Sequence, residues 1–155
     1  MDSGLILDYL EALSGRSLWP AGFAQRTRAL RVTGLALAAC EKMVAQVYEH
    51  HLRPSEKQHA PWLERIRQQM VAALTALDAE IAGHPPVTQE SALTQDALCA
   101  AIAWRFMQIK LETPVADAAC PALAAHAARL EALPVFAQTP ADETVNVSTA
   151  GGTPR

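Results

Sequence analysis

An all-α domain is the fold this sequence predicts, and three observations carry that expectation. Half of the 155 residues are hydrophobic yet only 5% are aromatic, and alanine is the commonest type. Alanine costs least in a helix, whereas the β-branched residues that favour strands are sparse. Apolar residues also recur three and four apart over long stretches, the period of a helix with one buried face. A chain of this length builds one compact domain with a real core.

The elements follow in order. Asp2 and Ser3 suit a helix N-cap, and Leu5, Ile6, Tyr9, Leu10 and Leu13 continue at helical spacing until Gly15 stops the run. Residues 1–14 thus form a first short helix. Residues 15–23, with Leu18, Trp19, Pro20 and Gly22, read as an ordered connector pinned by its aromatics. No proline interrupts residues 24–51, where Leu30, Leu37, Val44, Val47 and Tyr48 recur. At ~1.5 Å per residue that is a helix of about 42 Å, with Gly34 inside it as a bend or a place of close packing. Arg53-Pro54 ends it.

Ser55 is expected to cap a second long helix, with Glu56 near its positive end. Its core face reads Trp62, Ile66, Met70, Leu74, Leu77, Ile81, and Gly83-His84-Pro85-Pro86 closes it. Thr94 opens a third, running to about Leu111, with Leu98, Ala101, Ile102, Trp104, Phe106 and Ile109 expected inside. Pro121 suits the first turn of a fourth, from Pro121 to Ala132, with Leu123, Ala127 and Leu130 on one face. Pro134-Val135-Phe136 makes a closing turn. The main helical domain therefore covers 24–139, and the polar segment 140–155 reads as a flexible tail.

Charge and composition exclude several classes. A formal charge of -3 without a basic block argues against a nucleic-acid partner. The longest unbroken apolar run, Ala97 to Trp104, is far short of the ~20 residues that cross a bilayer. Nothing resembles a secretory signal, so a cytoplasmic protein with no membrane partner is expected. Cys40, Cys99 and Cys120 are odd in number and widely spaced, which predicts reduced thiols rather than disulfides or zinc. Cys120 stands next to a helix start, where a thiol can be activated, but an inert thiol is the favoured reading. His50, His51, His59 and His84 lack the i, i+4 spacing of a shared metal and read as solvated side chains, so no metal site is expected.

The ordered set of motifs is more specific than any single one. Asp2-Ser3 opening a helix, followed by Ile6 and Tyr9-Leu10, is similar to the last helix of the thioredoxin-like domain in glutathione transferases. Leu18-Trp19-Pro20 resembles the stretch that joins the two domains of those enzymes. His51-Leu52-Arg53-Pro54 with Trp62, then Leu93-Thr94-Gln95-Asp96 and Ala103-Trp104-Arg105-Phe106, resemble bacterial cytosolic members. Cys120-Pro121-Ala122-Leu123, Arg129, Glu131 and Leu133-Pro134-Val135-Phe136 resemble the final helix and closing turn. In the family, Ser or Thr at the start of the buried helix is followed by Asp three residues on; here Ala97 holds that position and the acid comes early, at Asp96. As an N-cap, Thr94 would contribute about 1 kcal/mol.

The resemblance implies a glutathione transferase C-terminal-like helical bundle, with 1–14 as a remnant last helix of a thioredoxin-like domain. It implies conjugation of glutathione to electrophilic small molecules in the complete protein, with glutathione as co-substrate and no further cofactor. Asp2 and Ser3 correspond to the pair that binds the γ-glutamyl end of glutathione. Met43, Val44 and Tyr48 lie on the helix that lines the electrophile pocket, although ordinary packing explains them equally well. The early Tyr, Ser or Cys that stabilises the glutathione thiolate has no counterpart here, so no catalytic residue is assigned. A thiol of pKa ~8.5 is only slightly ionised at neutral pH without such help. The expected product is thus truncated and inactive alone. The alternative is a non-catalytic helical interaction module, dimerising or holding a partner protein through the exposed apolar stripe of the first helix.

Overall fold

A computed structural model describes residues 3–141 and is helical throughout, with no strand among those residues. The helices are α1 (Ser3–Ser14), α2 (Phe23–Leu52), α3 (Ala60–Ala82), α4 (Gln95–Lys110), α5 (Pro121–Glu131) and α6 (Pro134–Gln138). Single 3-10 turns stand at Ser55–Lys57, Glu90–Ala92 and Asp117–Ala119. Among the described residues no helix is long and apolar enough to cross a membrane.

The two long helices lie side by side, and α4 packs on α2 while α5 covers α3 and α4. α4 is buried over most of its circumference. Ala97, Ala100, Ala101, Ala103, Trp104 and Met107 all lie inside, and four alanines let neighbouring helices approach closely where Trp104 then fills the remaining volume. From α3 come Ile66, Met70, Leu74 and Leu77, all fully buried at the expected spacing. Burying each large apolar side chain contributes roughly 1.5–3 kcal/mol, which makes this row the main support of the long-helix pair.

Four expectations are corrected. First, α2 buries its small face, with Ala29, Val32, Ala36, Ala39 and Met43 inside, while Leu30, Leu37 and Tyr48 are 53–59% exposed. Close packing against α3 and α4 selects the short side chains, which turns the large ones outward. Second, Gly34 permits no close approach, because a Cβ there would meet nothing within 4 Å. Third, Ser55 begins only a 3-10 turn, and α3 starts at Ala60 with Pro61 in its first turn. Gln58 is the reason: its Nε2 donates to the carbonyls of His50 and Arg53 and so closes the end of α2. Glu49 meanwhile accepts the His59 N–H at 3.2 Å, which fixes an extended break before α3. Fourth, Ile102 is 55% exposed and Trp62 46% exposed, so neither belongs to the core.

Thr94 does occupy the N-cap position of α4, but its side chain makes no capping hydrogen bond. Across the fold, caps are supplied from a distance. The Asp78 carboxylate accepts the Leu123 N–H at 2.8 Å in the first turn of α5, and Glu90 accepts the Val135 N–H at 2.6 Å in α6. Both satisfy donors that a helix start leaves open.

Candidate functional site

α1 has almost no packing of its own. Leu5, Ile6, Leu7, Tyr9, Leu10 and Leu13 are all exposed, from 42% for Ile6 and Leu7 to 71% for Leu13. Six large apolar side chains on one exposed helix form a patch of the kind that marks an interaction surface.

Its exit is anchored. Gly15 adopts φ +67°, the left-handed turn that ends a helix. Glu11 then reaches forward along the connector, accepting the Ser17 hydroxyl at 2.6 Å and the Leu18 N–H at 2.8 Å. Those two donors, Ser17 foremost, hold the Glu11 carboxyl below its ordinary pKa. The connector in turn is tied to the bundle at two points. The Leu18 carbonyl accepts the Gln95 N–H at 3.0 Å at the start of α4. The Arg26 guanidinium sits 5.6 Å from the centre of the Trp19 ring, a cation–π contact. Of the two aromatics expected to pin the connector, Trp19 makes this contact, whereas Phe23 is 88% exposed.

A second apolar strip runs along α2. Phe23, Leu30 and Leu37 are spaced by sevens, with Tyr48 and Leu52 further on, and all five are 53–88% exposed. This line lies opposite the alanine face, so α2 is apolar on two sides. A helix of that kind is ordinarily enclosed.

Of the residues expected to bind glutathione, Asp2 lies outside the described residues, and Ser3 begins α1 with its side chain likewise outside them. Most of the expected tail, residues 142–155, also falls outside. Met43 is fully buried in the core and lines no surface. Tyr48 is 57% exposed and Val44 half-buried, so of the three α2 side chains these two can face a ligand.

No thiol of the chain is prepared for nucleophilic work. Burial raises the pKa of Cys40, Cys99 and Cys120 above the ordinary thiol value, and for Cys120 the nearby Asp78 charge adds to it. His50, His51, His59 and His84 are exposed, as expected. Sequence reasoning missed His126, which is 3% exposed with Nε2 2.9 Å from the Ala97 carbonyl. Its position on the Leu123–Ala127–Leu130 face was the available signal.

Comparison with solved structures places this architecture. A glutathione S-transferase from Methylobacterium radiotolerans, in complex with glutathione sulfonate, superposes with a TM-score of 0.76 and 27% identity. The match covers 89% of this chain and 65% of that one, so the present chain spans just under two thirds of that enzyme. A glutathione transferase family member from Pseudomonas fluorescens, with bound S-(propanoic acid)-glutathione, gives 0.75 at 28% identity over 90% of this chain and 69% of that one. The same family member with bound glutathione gives 0.72 at 28%, over 91% and 68%. No protein-family model matches the chain, and no curated protein matches it.

Proposed function

We propose, from the premise that this chain belongs to the glutathione transferase family, that it is the helical part of an enzyme conjugating glutathione to electrophilic small molecules. The carrying observation is α1, whose exposed apolar side chains match a helix made to lie against a thioredoxin-like, glutathione-holding domain. The solved neighbours support the ligand, since each of the three holds glutathione or a derivative of it. In this reading Asp2 and Ser3 meet the γ-glutamyl end: Asp2 pairs with its amino group, and Ser3 with the first N–H groups of α1 binds its carboxylate. Tyr48 borders the electrophile. Thiol activation is assigned to none of these 155 residues, because the early Tyr, Ser or Cys that performs it in the family has no counterpart among them.

The test joins this chain behind the thioredoxin-like domain of the Pseudomonas fluorescens relative and follows conjugation of a chloronitrobenzene. The fusion is expected to turn over, the 155-residue chain alone is not, and Ser3→Ala with Asp2→Ala should raise the KM for glutathione in the fusion. A folded fusion without glutathione affinity would overturn the family activity for this chain. Turnover by the chain alone would overturn external thiol activation.

A non-catalytic module is the second reading, and the outer line of α2 favours it, since Phe23, Leu30 and Leu37 add a second uncovered apolar surface. It predicts a homodimer or a complex with a partner protein through these surfaces. Light scattering that finds a strict monomer at high concentration removes the homodimer.

A further inference from the structure

One end of the bundle holds more hydrogen-bonding capacity than its own residues use. Two adjoining cavities, of about 70 and 420 Å³, share Arg28, His84, Thr94 and Asp96 as walls. The smaller one also reaches His126 and Arg129 on α5. The Asp96 side chain is 7% exposed; its Oδ2 pairs with Arg28 Nη1 at 3.2 Å, while its Oδ1 has no hydrogen-bond partner among the described residues. Arg28 Nε and Arg129 Nε are buried donors in the same condition. Arg28 Nη2 is committed to the Glu80 carbonyl at 3.1 Å, which fixes the direction of the guanidinium.

Buried polar atoms are nearly always paired in native proteins, so three orphans on residues that wall one cavity point to a complement seated there. Charge narrows that complement. Arg28 and Asp96 neutralise each other, Arg129 leaves a positive charge, and the first turn of α4 adds the partial positive charge of a helix start. The charge of the site therefore favours an anion. Asp96 narrows it further, because an ionised carboxylate only accepts, and an anion without a proton would face it with lone pair against lone pair.

We propose that this cavity binds a protonated tetrahedral oxyanion of the hydrogenphosphate kind. Arg28 Nε and Arg129 Nε donate to its oxygens, and its own P–O–H donates to Asp96 Oδ1. The inner cavity, about 70 Å³, accommodates one such group, given that a water occupies roughly 10–15 Å³ on the same kind of measure. The outer cavity leaves space for an ester substituent.

The test uses the full 155-residue chain at pH 7 and constant ionic strength. Inorganic phosphate is expected to raise the melting temperature saturably and to give a measurable Kd by calorimetry, whereas sulfate, which carries no proton there, gives neither. Methyl phosphate, compared with inorganic phosphate at pH 6 so that much of it keeps its proton, separates the two sources of the group: binding as tight as that of inorganic phosphate identifies an ester site, and binding of inorganic phosphate alone identifies a free-ion site. Arg129→Gln should weaken phosphate binding roughly tenfold, the scale of one charge-assisted hydrogen bond, without lowering the phosphate-free melting temperature. Asp96→Asn, which supplies an amide donor, should admit sulfate; should that variant fail to fold, the Arg129→Gln comparison decides. Equal responses to sulfate and phosphate, no saturable response, or an Arg129→Gln protein that binds like the parent would each overturn the proposal.

Discussion

The Asp78 carboxylate on α3 accepts the Leu123 backbone N–H of α5 at 2.8 Å, across 45 residues of chain. Leu123 is the third residue of its helix, the position whose N–H a local Ser or Asp usually satisfies. The cap of α5 is therefore also a tertiary tie between two helices. Asp78→Ala is expected to lower stability by about 1–2 kcal/mol, the range of a lost N-cap. Urea denaturation of parent and variant measures it.

Thr94→Ala makes the opposite case. Thr94 stands at the N-cap of α4 with no side-chain cap bond, and the helix start is tied to the connector, whose Leu18 carbonyl accepts the Gln95 N–H. The substitution should cost less than about 0.5 kcal/mol, not the full N-cap value. A loss near 1 kcal/mol in the same denaturation series would return the cap to Thr94.

His126 should make the bundle acid-sensitive. Burial lowers its folded-state pKa below the ordinary 6.5, the Ala97 carbonyl opposing that shift and Arg129 reinforcing it. An unfolded chain thus takes up the proton first. Above pH 6.5 the group contributes no pH dependence, and as pH falls below 6.5 stability declines until the folded pKa is reached. Denaturation at pH 7.5, 6.5 and 5.5 should show this decline, and His126→Gln should flatten it. A parallel slope in the variant would assign the decline to other groups.

Gly34 lies in the interior of α2, where an added Cβ meets nothing. Gly34→Ala should therefore stabilise the chain by up to ~1 kcal/mol, the helix-propensity difference. Thermal melting decides the sign, and a lowered melting temperature would mean that a second body already presses on this face.

The core was legible where large side chains keep the helical period, as in Ile66, Met70, Leu74 and Leu77 on α3. It was illegible on α2, because there the buried face is written in alanine and the leucines face out. Hydrophobic pattern weighs size, whereas close helix packing rewards its absence. The start of α3 was misplaced for a related reason. Ser55-Glu56 has the chemistry of a cap, but Gln58 is spent on the carbonyls of His50 and Arg53, a bond no local rule foresees. Of the candidate site, the apolar stripe of α1 could be read from its spacing alone. Arg28, Asp96 and Arg129 could not, since they come from three helices and meet only once the bundle closes.

The two-sided character of α2 divides the consequences of mutation. Enlarging Ala36 or Ala39 forces neighbouring helices apart and is felt in folding. Changing Leu30 or Leu37 to Ser should cost the bundle little, because those side chains are more than half exposed. One helix thus carries two independent messages, an inner one addressed to its own chain and an outer one addressed to whatever sits beyond it. The outer one can be erased without touching the inner.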